Sequence, residues 1–316
     1  MLEIKLFTTA DYQTIADLEN SVFTDEFFTG QGIEDDEKRL PDYIKQQRFV
    51  AWQDGIAVGF GQFSQDAWQY HPNRFRFWIL VRPEYQRLGI GAKLWDAVFG
   101  AVQVHSPIGY LSSVREDKFG LEFLKTRGFS EKMRTWENRI DLRQFDASPY
   151  QHLPAELEQQ GIQILSLEQL MQQHADYATR YFEVSLETGR DVPRAYPATD
   201  RTFEEWSVLT LENPKSLEKA TFIAVQDGRY IGVSALYLSD GDYLTIGLTG
   251  VRREFRNKQI ALAVKVACLA WAKENGYLEV RTWNDSNNLP ILKLNQKLGF
   301  VQCPAWIDCV LELPVG

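Results

Sequence analysis

The sequence predicts a mixed α/β protein in which one fold is written twice in tandem. The chain has 316 residues, too many for one ordinary core and enough for two domains of roughly 150 residues. Three patterns recur in the same order at offsets of 170–173 residues. Phe49-Val50-Ala51-Trp52-Gln53-Asp54-Gly55 is echoed by Phe222-Ile223-Ala224-Val225-Gln226-Asp227-Gly228, Val81-Arg82-Pro83-Glu84-Tyr85-Gln86 by Val251-Arg252-Arg253-Glu254-Phe255-Arg256, and Gly128-Phe129 by Gly299-Phe300. A common hairpin turn would explain the first echo alone, not three in order. Each copy also runs hairpin, strand, glycine-type loop, helix, strand, helix, which is the alternation of an α/β fold.

The elements follow in order. Asp54-Gly55 and Asp227-Gly228 sit between apolar runs and predict hairpins that continue to Val58-Gly59 and Ile231-Gly232. In copy one, residues 75–81 read as a strand, 92–103 as a helix, 109–114 as a strand and 119–125 as a helix ended by Gly128. In copy two the counterparts are 243–251, 260–274, 278–282 and 290–297, with Pro290 in a first helical turn and Gly299 after the last. Pro149 and Pro154 lie in a stretch without periodicity that reads as a linker. The expected domains are therefore 1–145 and 161–316, joined by residues 146–160. Loop-like stretches at 29–41 and 189–200 are the candidates for substrate loops.

Composition narrows the function. The net charge of −9 is shared by both halves and repels phosphate backbones and anionic lipid, so nucleic acid and membranes are poor partners and a cationic amine is mildly favoured. No run approaches the roughly 18 apolar residues of a membrane span, and the first residues do not read as a secretory signal. Three cysteines without a Cys-x-x-Cys pattern argue against a disulfide framework, and four scattered histidines against a metal site. A cytoplasmic chain, monomer or homodimer, is the expectation.

The chemistry concentrates at Gln86-Arg87-Leu88-Gly89-Ile90-Gly91-Ala92, between a strand and a helix. Glycines there let backbone N–H groups close around an anion, and the helix N-terminus adds its partial positive charge. No Gly-Lys-Ser/Thr follows, so this is not a nucleotide P-loop. The third glycine of a dinucleotide fingerprint is also absent, its place taken by Leu94.

Val81 to Gly91 resembles the acyl-CoA signature Gln/Arg-x-x-Gly-x-Gly/Ala of the GCN5-related N-acetyltransferase (GNAT) superfamily. Copy two, Arg256-Asn257-Lys258-Gln259-Ile260-Ala261, matches at its first and last positions and carries Gln259 where glycine is usual, which puts close approach to the pyrophosphate in doubt. Copy two is also similar to the second half of tandem acetyltransferases such as mycothiol synthase. The resemblance implies two tandem acyl-CoA N-acyltransferase folds, acetyl-CoA as cofactor, and a small-molecule or peptide amine as acceptor. It implies that Ile79, Leu80 and Val81, and Leu248, Thr249 and Val251, line the pantetheine arm in a gap between splayed strands. The family's cofactor-contacting asparagine stands eleven residues before the Gly-Phe glycine. Copy two has Asn288 there and copy one Asp117. The tyrosine that protonates the leaving thiolate is replaced by Leu124 and by Asn295, which leaves Asn295 as a hydrogen-bond donor to sulfur.

Asn284 and Asn288 serve either helix capping or cofactor contact. The general base is open. Glu84 and Glu254 recur between copies but suit solvated turns, Glu187 and Asp191 border the second loop, and Glu34 to Glu37 read as a solvated face. Trp78 and Trp95 read as core, while Trp283 lies at a strand end near the cleft. Both halves are expected to hold acyl-CoA and copy two to carry the transfer. The alternative is an acyl-CoA-binding or scaffold protein without turnover, motivated by the two missing tyrosines.

Overall fold

The structure is a computed structural model describing residues 1–314. Two compact units divide the chain: residues 1–134, 195–199 and the stretch from Trp306 onward form unit 1, and residues 135–194 and 200–305 form unit 2.

In unit 1 the elements are β1 (Leu2–Leu6), α1 (Tyr12–Val22), α2 (Gly30–Lys38), β2 (Gln46–Gln53), β3 (Ile56–Ser64), β4 (Arg74–Val81), α3 (Ile90–Val102), β5 (Gly109–Arg115), α4 (Leu121–Lys125) and the start of β6 (Ser130–Asp141). Unit 2 holds the rest of β6, then α5 (Leu153–Glu158), β7 (Ile162–Ser166), α6 (Leu167–Gln173), α7 (Tyr177–Gly189), α8 (Phe203–Thr210), β8 (Ser216–Gln226), β9 (Arg229–Leu238), β10 (Leu244–Val251), α9 (Ile260–Glu274), β11 (Glu279–Asp285), α10 (Leu289–Leu298) and the start of β12 (Val301–Glu312). The strand order is β1-β2-β3-β4-β5-β12 in unit 1 and β6-β11-β10-β9-β8-β7 in unit 2. Two neighbours run parallel, β4 with β5 and β10 with β11.

Both Asp-Gly hairpins have the conformation their sequence asks for. Asp54 and Gly55 have φ of 51° and 82°, Asp227 and Gly228 of 50° and 74°, so both central residues are left-handed, as a two-residue turn between twisted strands requires. Each sheet is covered on both faces. In unit 1, Phe75 and Phe77 of β4 pack on Trp95 and Val98 of α3, while Leu80 packs on Ile15 and Leu18 of α1. In unit 2, α9 sends Leu262, Val264 and Cys268 against Ile246 and Val280, and α7 sends Tyr181 and Val184 against Ile223 and Val233. Each fully buried side chain of this kind contributes about 1.5–3 kcal/mol. Gly59 is fixed by close approach, since a Cβ there would lie 2.5 Å from the Leu80 carbonyl oxygen.

The structure departs from the expected division of the chain. Residues 146–160 are no linker: Leu153 and Leu157 of α5 are 1% exposed within the unit 2 core, and the Tyr150 hydroxyl donates to the Lys297 carbonyl at 3.0 Å. Pro149 and Pro154 occupy first helical turns, where the missing N–H costs nothing. Residues 306–312 leave the second domain and pair antiparallel with β5 in unit 1, Trp306 opposite Arg115 and Glu312 opposite Gly109. Likewise Thr135–Asp141 pair with β11 in unit 2. The expected loop at 29–41 is mostly α2, its N-terminus capped by Thr29, whose side chain accepts from the Gly32 N–H at 2.9 Å. Residues 195–199 of the second loop seat on unit 1, where the Tyr196 hydroxyl donates to Glu312 at 2.8 Å and the Tyr70 N–H donates to Thr199 Oγ1 at 2.6 Å. Among the described residues no helix is long and apolar enough to cross a membrane.

Candidate active site

In unit 1, β4 runs into a turn at Pro83–Tyr85 and then a loop in which Arg87 has φ 63° and Gly89 φ 80°, and α3 starts at Ile90. In unit 2 the turn is Arg253–Phe255, Asn257 has φ 65°, Gln259 φ 61°, and α9 starts at Ile260. Alternating left-handed residues turn successive N–H groups toward one side, a nest that suits an anion. The first backbone bonds of the helices are Lys93 N–H to Gly89 and Ala263 N–H to Gln259. The N–H groups of Ile90, Gly91 and Ala92, and of Ile260, Ala261 and Leu262, therefore have no partner in their own helices. This donor set fits a pyrophosphate in both units.

Gln259 does not spoil the loop. It takes up the left-handed conformation itself, at a cost of roughly 1–2 kcal/mol for a residue with a Cβ. At Gly91 a Cβ would meet its nearest neighbour at 3.7 Å, so Ala261 fits the same place. The first signature side chain braces the loop from the strand: Gln86 Nε2 donates to the Val81 carbonyl at 3.0 Å, and Arg256 Nε to the Val251 carbonyl at 3.1 Å. Leu88 is 64% exposed, and Lys258 lies over the Phe255 ring at 5.4 Å.

Both units have a gap between parallel strands. β4 meets β5 only from Arg74 opposite Gly109 to Phe77 opposite Ser112, and β10 meets β11 only from Leu244 opposite Val280 to Ile246 opposite Thr282. Beyond those rungs, Leu80 and Val81, and Thr249 and Val251, show one backbone edge to the gap. On the other edge the units differ. β4 stays in register with β3 through Val81 opposite Gly59. β10 carries a bulge between Ile246 and Thr249, one residue longer than the facing stretch of β9. A bulge takes backbone groups out of the ladder and re-aims them. The hydroxyls of Thr249 and Ser234 meet at 3.0 Å beside it.

The family's asparagine and tyrosine positions also differ. In unit 1, Asp117 is forked by Arg115 at 2.7 and 3.0 Å, which holds its carboxyl below the usual range, and Leu124 is buried beside Trp95. In unit 2, Asn288 starts α10 without a side-chain cap, while the Asp285 carboxylate accepts from the Asn287 N–H at 2.8 Å. Asn295 is 1% exposed. Its amide donates to Asn284 Oδ1 at 2.6 Å and its oxygen accepts from Lys265 Nζ, so the amide expected to face sulfur faces Asn284. Sequence reading missed Lys265, which is 0% exposed and whose pKa burial lowers to about 7. One lysine in the run Ile260-Ala261-Leu262-Ala263-Val264-Lys265-Val266-Ala267-Cys268 was its signal.

Of the carboxylates considered as bases, Asp191 is bound by Arg253 and Arg256, which pull its pKa down to about 2, and Glu187 is bound by Arg252. Glu254 pairs with Arg229 at 2.7 Å, and Glu84 is exposed. The run at 34–37 lies on α2, in ion pairs with Lys38, Arg39 and Arg48. A carboxylate that sequence reading did not single out, Glu19 of α1, is half-buried in unit 1, where the Trp78 indole N–H donates to it at 3.1 Å. Burial pushes its pKa up to about 7 against that hydrogen bond. Trp78 thus does more than fill the core. The buried face of α7 offers Ser185 instead, whose Oγ has no hydrogen-bond partner among the described residues.

A strand that leaves its parallel neighbour and ends in an anion nest on a helix N-terminus, present twice, defines a tandem acyltransferase-type fold. The chain belongs to the acetyltransferase (GNAT) family, whose model matches residues 12–129 and 169–300. Solved structures agree on the fold. A GCN5-related N-acetyltransferase from Sphaerobacter thermophilus is 19% identical over 100% of this chain and 96% of its own, with a TM-score of 0.73. A tandem GNAT protein from the clavulanic acid biosynthesis pathway is 18% identical over 100% of both chains, with a TM-score of 0.75. A GCN5-related glucosamine N-acetyltransferase region of a fungal multi-domain GH3 β-N-acetylglucosaminidase is 14% identical over 98% of this chain and 38% of that one, with a TM-score of 0.71.

Proposed function

We propose that this chain is a cytoplasmic acetyl-CoA-dependent N-acetyltransferase, monomer or homodimer, acting on a primary amine of a small molecule or peptide. Both units hold acyl-CoA, and unit 2 carries the transfer. The observation that carries the assignment to unit 2 is the bulge at 246–249 in β10, just past the last rung with β11.

Acetyl-CoA, when bound, supplies an acetyl thioester. Backbone N–H groups of residues 256–262 would hold its pyrophosphate, and the free edge of β10 at Leu248, Thr249 and Val251 would pair with the pantetheine amides. N–H groups released by the bulge act as donors to a carbonyl oxygen that gains negative charge, the preorganised electrostatic help that is often the largest part of acyl-transfer catalysis. Aligning amine and carbonyl in the gap contributes several kcal/mol more.

A second reading rests on Glu19. A half-buried carboxyl near pKa 7 beside β4 is matched to taking a proton from an ammonium at neutral pH, which would put transfer in unit 1. The test is calorimetric titration with acetyl-CoA, together with release of free thiol across a panel of amines, on the parent, Gly91→Glu and Ala261→Glu. Each substitution sets a carboxylate in one nest. Two sites in the parent, one in each variant, and turnover lost with Ala261→Glu support transfer in unit 2. Turnover lost with Gly91→Glu instead moves the chemistry to unit 1 and Glu19. Binding without turnover on any amine favours the scaffold alternative, and no binding rejects all three.

A further inference from the structure

Unit 2 contains a buried lysine with no anionic partner among the described residues, and its hydrogen bonds lead toward the gap. Lys265 Nζ is 0% exposed, lies 5.0 Å from the centre of the Phe300 ring, and donates to Asn295 Oδ1. The Asn295 amide then donates to Asn284 Oδ1 at 2.6 Å. Asn284 stands on β11 two residues past Thr282, the last residue paired with β10, and is the partly exposed end of the chain.

Burial lowers the Lys265 pKa to about 7, so above neutral pH its Nζ donates to Asn295 chiefly as a neutral amine. Cys268, one turn along α9, supplies no counter-charge, because burial pushes its thiol pKa up to about 12. No carboxylate on α10, β11 or β12 forms an ion pair with Lys265 among the described residues. Each amide in the chain accepts at its carbonyl from the donor behind, so Nζ polarises both in one sense, as ammonium or as amine. The Asn284 amide nitrogen is left as the outward donor.

We propose that Lys265, Asn295 and Asn284 form a hydrogen-bond relay, passing polarisation and not protons, that stabilises the sulfur anion released in acyl transfer at unit 2. It replaces the acid that neither copy has at the tyrosine position. Asn284 is the group that touches sulfur, and Lys265 and Asn295 are positioning residues. In the reaction the amine nitrogen bonds to the thioester carbon, the C–S bond breaks with its electron pair on sulfur, and the amine proton passes to solvent. This inference rests on acyl-CoA binding in unit 2.

The test is the thiol pKa of CoA bound to the Gly91→Glu protein, read by thiolate absorbance in the ultraviolet, with binding followed separately by calorimetry. The thiol is expected about one unit below the ordinary value of roughly 8.5. It should return to that value in Lys265→Met and in Asn284→Ala, with kcat about tenfold lower and KM for acetyl-CoA little changed. Should Lys265→Met not fold, Asn284→Ala at the exposed end decides alone. CoA that binds with a thiol pKa indifferent to Asn284→Ala overturns the relay and leaves the transfer reading standing. CoA that fails to bind the Gly91→Glu protein overturns the transfer reading and the relay with it.

Discussion

Exchanging the residues at the left-handed loop positions, Gln259→Gly and Gly89→Gln, should change stability in opposite directions by similar amounts. Gln259 has φ 61° and Gly89 φ 80°, and a Cβ at Gly89 meets nothing within 4 Å. The substitution there is therefore conformational, not steric. A residue with a Cβ loses roughly 1–2 kcal/mol in this region, and glycine loses about 0.5–1 kcal/mol in backbone entropy on folding. The difference leaves about 0.5–1 kcal/mol gained by Gln259→Gly and lost by Gly89→Gln. If the nest is populated only when that residue is left-handed, CoA affinity follows within about fivefold, since 1.4 kcal/mol is a factor of ten. Urea unfolding read at constant m-value measures the first effect, and calorimetry the second. A destabilised Gln259→Gly protein would refute the reasoning, because it would mean that the Gln259 side chain contributes more than its backbone conformation costs.

Three further outcomes follow from buried charge and strand pairing. Glu19 has its folded pKa raised to about 7, so the folded protein binds more protons than the unfolded chain between roughly pH 4.5 and 7, and stability falls as pH rises through that window. Glu19→Gln, which keeps an acceptor for Trp78, should remove that slope and raise the unfolding midpoint at pH 8; an unchanged pH profile would count against a buried carboxylate. Lys265 is the reverse case: its folded pKa is lowered to about 7, so the unfolded chain binds the extra proton between about pH 7 and 10.5, and stability rises with pH there. Lys265→Met should flatten that rise and stabilise the protein at neutral pH, even as it slows transfer. A fragment of residues 1–145 lacks the strand from Trp306 to Glu312 that pairs with β5 and should not show a cooperative transition by circular dichroism, whereas an independently folding fragment would show that β12 is dispensable to unit 1.

What was legible in the sequence was local. The Asp-Gly turns, the strand-to-helix loops and the repeat order depend on residues within a few positions of one another, and each appears where its chemistry requires. The loop cost of Gln259 was legible as a doubt about close approach, but not that the backbone keeps its shape, because propensity at φ > 0 is a matter of about 1 kcal/mol, which packing around Ile260 readily offsets. The exchange of the last strands was not legible. Residues 303–309 alternate and residues 130–141 do not, with Met133, Trp136 and Ile140 spaced by three and four, and neither pattern names a partner; the pairing of Asp308 with Ser113 and of Glu137 with Trp283 is decided across long stretches of chain.

The site failed to read from sequence for a different reason. Glu187 and Asp191 are conspicuous in the sequence because they border a polar loop, and there arginines are free to neutralise them, as Arg252, Arg253 and Arg256 do. A pKa moves toward neutrality where neutralising partners are scarce, inside apolar helix faces. Glu19 lies one residue after Leu18, which is 0% exposed, and Lys265 one after Val264, also 0% exposed. A charge that breaks an apolar face is thus the more informative signal, since burial supplies the desolvation that moves a pKa. On that criterion Glu19 in unit 1 and Lys265 in unit 2 stand out, an acid and a base that each interrupt an apolar helix face. They are the two positions at which substitution separates the competing assignments of the chemistry.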